Sequence, residues 1–316
     1  MVFILTQLVP GEPELAYLSQ RNLSDKEVVA AFRARWGLDQ PLYIQYFKYM
    51  GNLVQGDLGT SFRTNRPVLV DLKQYLPATI ELALVAIIIA TFFGILFGVL
   101  SATWPNSFID HFLRTISVTG VSIPSFWFAL LVLYVFYFHL GWSPGPGRIG
   151  AWSTPADPIT NFYIIDSIIQ KRWDILKESL QHIFWPALVL GTFTMGLITR
   201  TNRSSLLETM SMDYIRTARA KGLGKLAVVT RHAFGNAFIP VITVIGLGFG
   251  NLLGGAVLVE TIFSWPGIGM YAYRSAVSLD YPAITGVALL IAVNYVIINL
   301  IVDILYGIID PRIRYQ

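Results

Sequence analysis

Five long apolar stretches constrain this chain more than anything else in it. Residues 77–104, 112–142, 183–201, 236–263 and 284–308 carry their few charges, Glu81, Arg114, Arg200, Glu260 and Asp303, near their ends. A helix needs about 20 apolar residues to cross ~30 Å of hydrocarbon, and each stretch has about that length or more. Water is absent there, so the backbone must satisfy its own hydrogen bonds, which leaves a helix or a closed barrel. Continuous apolar runs of this length, without strict alternation, select the helix. Charged residues make up 13% of the chain and hydrophobic ones 54%, against ~25% and ~45–50% in an ordinary soluble domain. The expected class is an all-α polytopic membrane protein.

Composition also excludes several chemistries. There is no cysteine, which removes disulfides and thiolate chemistry. His111, His139, His182 and His232 are far apart with no ligand-like neighbours, so no metal site is expected. The net charge of +4 is scattered, unlike a nucleic-acid-binding stripe. No stretch resembles the phosphate-cradling Gly-x-x-x-x-Gly-Lys-Ser/Thr loop, and no nucleophile–base pair or paired-carboxylate site stands out. The chain is not expected to be an enzyme by itself or to bind a cofactor.

Residues 1–9 are apolar but too short to cross a bilayer, and Pro10-Gly11-Glu12-Pro13 breaks them off. Residues 10–76 are expected to form a water-facing helical segment. Ser24-Asp25-Lys26-Glu27 is a capping box for a helix reaching Trp36 and stopped by Gly37. Pro41 opens a second helix with Leu42, Gln45, Tyr46, Tyr49 and Leu53 on one face, and Gly56-Asp57-Leu58-Gly59 is a turn. Pro124 predicts a kink in the second apolar stretch. A loop rich in Pro and Gly leads to a polar segment ending near Gln181, and Pro186 falls in the first turn of the stretch that follows.

Between the third and fourth apolar stretches, residues 202–235 form a short basic loop. Arg216, Arg219, Lys221, Lys225 and Arg231 lie in it, with Arg200 and Arg203 at its edge. Such a concentration marks the cytoplasmic side. Counting outward puts residues 10–76 and 142–181 outside and the C-terminus inside. Within the loop, Asp213 can cap a helix over residues 214–221, and Gly222 fits its left-handed stop. Ile215, Ala218 and Gly222 recur at helical spacing, so this face is expected to be small enough for another protein's side chain to pack on it.

The run Asp213-Tyr214-Ile215-Arg216-Thr217-Ala218-Arg219-Ala220-Lys221-Gly222, followed by His232, Asn236 and Pro240, resembles the coupling loop of ABC importer permeases, in the dipeptide/oligopeptide/nickel branch. The family pattern is Glu-Ala-Ala, three residues, then Gly. Ala218 and Gly222 match its last positions, while Arg216 and Thr217 stand where many members have Glu and Ala. Gly37-Leu38-Asp39-Gln40-Pro41, Gln45-Tyr46, Gly56-Asp57-Leu58-Gly59-Thr60-Ser61, Thr261-Ile262-Phe263-Ser264-Trp265-Pro266-Gly267-Ile268-Gly269 and Asp310-Pro311-Arg312-Ile313-Arg314 also resemble that branch. The resemblance implies a six-span permease fold in a prokaryotic plasma membrane, with residues 1–9 as the outer end of a first span whose beginning is missing. It implies a second homologous permease, two cytoplasmic ATPase subunits carrying ATP and Mg, and an extracytoplasmic substrate-binding protein. Asp213, Tyr214, Arg216, Ala218, Arg219, Ala220 and Gly222 would then meet an ATPase. The implied cargo is a di- or oligopeptide or another small solute.

Polar and small residues inside the spans leave alternatives open. Gly246, Gly250 and Gly254 share a face and suit close helix contact, either with the second permease or within this chain. Glu81 and Glu260 could meet a peptide amine along the pathway or anchor helix ends. Asp303, with Asn294 and Asn299 on the last stretch, could serve a proton-coupled secondary carrier or hydrogen-bond structurally.

Overall fold

The computed structural model of the protein describes residues 17–18 and 25–309. Helices dominate, and the pairing of Thr60 with Pro67 is an isolated antiparallel bridge. The leading helices α1 (Lys26–Trp36) and α2 (Leu42–Val54) lie where capping signals put them. Asp25 caps α1 by accepting the Glu27 amide at 2.9 Å, and Gly37 closes it at φ 67°. Ser24 of the expected capping box lies outside the described residues, as do residues 1–9 and the closing run from Asp310.

The spans are longer than hydropathy alone indicates. Helix α3 (Val68–Thr103) begins well before residue 77 and carries Pro77 in its interior. Packing overrides the local signal here, because Val68 and Leu72 are buried with Tyr271, Ala283 and Val287. At 1.5 Å per residue α3 is ~54 Å long, well beyond ~30 Å of hydrocarbon. Helices α4 (Phe108–Ser122) and α5 (Ser125–Val132) follow, α5 continuing as a π-helical segment, Leu133–His139. The two arms are bent by 107°, much more than a kink. Ile123 before Pro124 takes ψ 127°, because the proline ring expels its predecessor from the helical region. Residues 112–142 are therefore a broken element.

After α6 (Tyr163–Ile169), helix α7 (Trp173–Thr209) absorbs both the polar segment before residue 183 and the start of the basic loop. Pro186 sits in its middle, not in its first turn. The basic loop contains α8 (Asp213–Ala220). The chain then runs through Lys225–Ala227 and a π-helical segment, Val228–Ala233, into α9 (Phe234–Gly255). Helices α10 (Val257–Ile262), α11 (Ile268–Val277) and α12 (Tyr281–Ile309) complete it. Among the described residues four helical stretches are long and apolar enough to cross a membrane, or five if the bent pair counts as one.

The framework is the α3–α7 pair, the most extensive helix contact among the described residues. Glycines permit it. A Cβ on Gly94 would sit 2.6 Å from Ile198, one on Gly98 2.6 Å from Asn202, and one on Gly191 2.7 Å from the Ala86 carbonyl. Without a hydrophobic drive between helices in lipid, this close approach holds the pair together. Helix α9 packs against α7 on one side and α12 on the other.

Candidate functional site at the basic loop

Helix α8 is held on the end of the bundle by its own apolar face. Ile215 is fully buried and Ala218 is 6% exposed, packed with Ala102, Leu206, Val228, Val229, Ala233 and Ala237. Ile215 and Ala218 of the small face expected to receive a partner's side chain are thus covered by this chain, while Gly222 stays exposed. What faces outward is the opposite surface: Asp213, Tyr214, Arg216, Thr217, Arg219, Ala220 and Lys221 are exposed. Met212, not Asp213, occupies the cap position, and Asp213 is the first helical residue, 3.1 Å from Arg216. That pair is almost wholly exposed and contributes little to stability. Its carboxylate does suit the positive end of the helix dipole.

Two features fix the pose of α8. The Tyr214 hydroxyl accepts a hydrogen bond from Asn236 Nδ2 at 2.8 Å, tying the helix to the start of α9. Gly222 ends the turn at φ 82°, with no atom near where a Cβ would point. It is required for backbone conformation, as expected, and not for a close contact.

Behind α8 lies a buried brace that sequence inspection missed. Asp110, at the start of α4, is fully buried. It accepts from Arg203 Nη2 at 2.7 Å and Nε at 2.8 Å, from Ser101 Oγ, and from the Asn106 amide at 2.9 Å. One carboxylate therefore joins the ends of α3, α4 and α7 just before the loop. The available signal was a charge at the margin of an apolar stretch, which requires a partner. Spacing alone did not name Arg203.

The polar groups at the other end of the bundle are internal ties. Glu81 is 5% exposed; it accepts from Arg148 Nη2 at 2.5 Å and from the Ile164 amide at 2.8 Å. Arg148 also stacks on Tyr163 at 3.5 Å. Glu260 is fully buried and accepts from Thr79 Oγ1 at 2.7 Å and the Met270 amide at 2.9 Å. Neither carboxylate is open to a solute, so the helix-anchoring alternative describes both. Asp280 grips the loop before α3 through Ser61 Oγ at 2.5 Å and the amides of Phe62 and Arg63. Tyr271 in α11 donates to Asp71 at 3.2 Å; burial, then the nearby Asp71 charge, pushes its phenol up.

The glycine face of α9 also looks inward. A Cβ on Gly246 would meet Val302 at 2.2 Å, one on Gly250 Ile298 at 3.5 Å, and one on Gly254 Ile291 at 3.5 Å. All three neighbours belong to α12 of the same chain. The side chain of Asp303 lies outside the described residues. No group of three or more His, Cys, Asp or Glu side chains is placed to hold a metal among the described residues.

Fold and loop together define a multi-span helical membrane protein with a short, outward-facing helix on one end. Residues 94–315 match the family described as binding-protein-dependent transport system inner membrane component, and the chain belongs to that family. It is 46% identical to a probable D,D-dipeptide transport system permease protein of Escherichia coli (strain K12), over 99% of this chain and 92% of the relative. It is 45% identical to a dipeptide transport system permease protein of Alkalihalophilus pseudofirmus, covering 100% and 94%. The fold is similar to that of a chain from the MetNI methionine ABC transporter in an inward-facing conformation, at TM-score 0.52 and 16% identity, covering 74% of this chain and 93% of that one. The protein is a multi-pass inner-membrane permease subunit of an importer.

Proposed function

We propose that this permease forms half of a translocation pathway for dipeptides or short oligopeptides and couples it to cytoplasmic ATPases through α8. A second permease, two ATPase subunits holding ATP and Mg, and an extracytoplasmic binding protein complete the machine; this chain itself binds no cofactor. The observation that carries the reading is the presentation of α8. Its apolar side is locked into the bundle, and its Tyr214–Arg216–Arg219–Ala220 side is exposed. Movement of an ATPase against that side is thus passed to α3, α7 and α9. The names of the 46% and 45% identical relatives support the peptide cargo.

The test is a pair of changes on the exposed side, Arg219→Glu with Ala220→Trp. Neither residue is buried, so insertion and abundance should be unchanged. Peptide uptake and ATPase co-purification should fall together. Uptake at the wild-type rate with equal abundance would refute the coupling role.

A further inference from the structure

The α4–α7 crevice contains a cavity of about 540 Å³ that none of the roles above uses. Arg114, Val118, Val121, Gly196, Arg200 and Arg203 line it. Its deep wall is where the helices touch: a Cβ on Gly196 would sit 2.6 Å from both the Ser117 carbonyl and Val121. The helices run antiparallel, so Arg114 and Arg200 stand together, with Arg203 nearer the basic-loop end. Val118, 63% exposed, and the partly buried Val121 lie further along α4, away from the basic loop. The cavity is therefore cationic at its basic-loop end and apolar further along α4.

Its charge is unbalanced. Arg203 is neutralised by Asp110, but among the described residues Arg114 has only the His111 ring nitrogen at 3.3 Å. Arg200 has no hydrogen-bond or ion-pair partner among the described residues. Among the described residues no carboxylate lines the cavity. The hydroxyls cannot substitute as donors, because Ser117, Ser122, Thr199 and Ser204 donate to the carbonyls of Leu113, Val118, Met195 and Thr201. Among the lining side chains only guanidinium groups remain to meet an incoming ligand, and they suit an anion such as phosphate.

We infer that this cavity is a binding site for one anionic phospholipid of the leaflet on the basic-loop side. The phosphate would lie between Arg114 and Arg200 and an acyl chain along Val118 and Val121. A basic pocket between spans on the cytoplasmic side is suited to such a headgroup. A free phosphate would leave the apolar part along Val118 and Val121 unfilled. A zwitterionic lipid would bring a cation against the arginines. The placement rests on the cytoplasmic orientation proposed for the basic loop, but lipid binding is measured without reference to transport or coupling.

The experiment is native mass spectrometry of the purified transporter complex, delipidated and titrated with phosphatidylglycerol or with phosphatidylcholine of the same acyl chains. The wild type should retain phosphatidylglycerol preferentially. Arg114→Gln with Arg200→Gln should lower that preference on the order of 10-fold or more, as expected for losing two arginines beside an anionic headgroup. Neither residue pairs with a carboxylate, so the variant should fold; Arg231→Gln should keep the wild-type preference. Three outcomes would overturn the inference. The double variant could retain the preference, or inorganic phosphate could displace the lipid at equal concentration. Alternatively, the double variant could lose its partner permease, which would make the cavity a contact between subunits.

Discussion

At Ala218 the same residue type serves a different purpose from the one its spacing suggests. Helical periodicity correctly places Ile215 and Ala218 on one face, but it cannot say whether that face meets another protein or the same chain. The answer lies in Val228, Val229 and Ala233, whose π-helical segment turns them under α8. Ala218→Glu is therefore a folding change as much as a coupling change. A buried, unpaired carboxylate costs on the order of ~3–5 kcal/mol, and limited proteolysis should cut the basic loop of this variant faster than the wild type's. Gly222→Val acts differently. It faces open space but holds φ 82°, so it should cost roughly 1–2 kcal/mol through backbone strain alone. Gly222→Asn should be tolerated much better, because Asn visits that conformation. Equal loop protection in the Val and Asn variants would show that backbone strain is not the reason for glycine here.

At the scale of elements, the sequence disclosed which segments are apolar and where helices stop, but not where spans begin. Gly37 and Gly222 were legible because a left-handed stop is a local requirement. The starts of α3 and α7 were not, since buried partners such as Tyr271 for Leu72 are far away in sequence. The same holds for the site: α8 was legible as a helix, while its brace, Asp110 with Arg203, needs two helices to be placed first. That brace makes a testable claim. Asp110→Asn should destabilise the chain in detergent by a few kcal/mol, toward ~3, because Arg203 is then left partly buried without its counter-charge. Adding Arg203→Gln should recover part of the loss, and a purely additive double variant would show that the two do not interact. Packing of the helices makes another. Gly191→Leu would drive a side chain into the Ala86 carbonyl, costing ~1–3 kcal/mol or more. Gly254→Ala meets its nearest neighbour at 3.5 Å and should melt like the wild type. Indistinguishable melting temperatures for the two glycine variants would refute the close α3–α7 contact as the source of stability.

For the whole molecule, the question is which end faces the cytoplasm, and the fold turns a counting argument into a geometric one. The long helices place Arg200, Arg203, Arg216, Arg219, Lys221, Lys225 and Arg231 at one end of the bundle. The opposite end is tied by the Glu81–Arg148 ion pair and by the hydrogen bonds of Ser61 to Asp280 and of Thr79 to Glu260. Lys and Arg in short loops set orientation while long loops count little, so the basic-loop end should lie inside and α1 and α2 outside. The chain has no cysteine, so introduced thiols can be labelled without background. Lys48 in α2 and Gly224 after α8 are both exposed, and neither has a backbone that disfavours a side chain. In intact cells a membrane-impermeant maleimide should label Lys48→Cys and leave Gly224→Cys unmodified; after permeabilisation both should react. Each variant must first show wild-type abundance in the membrane, so that a missing signal reports sidedness and not loss of protein. Labelling of Gly224→Cys alone in intact cells would invert the molecule. It would place α8 beyond the reach of any cytoplasmic ATPase and would remove the physical basis for coupling through that helix.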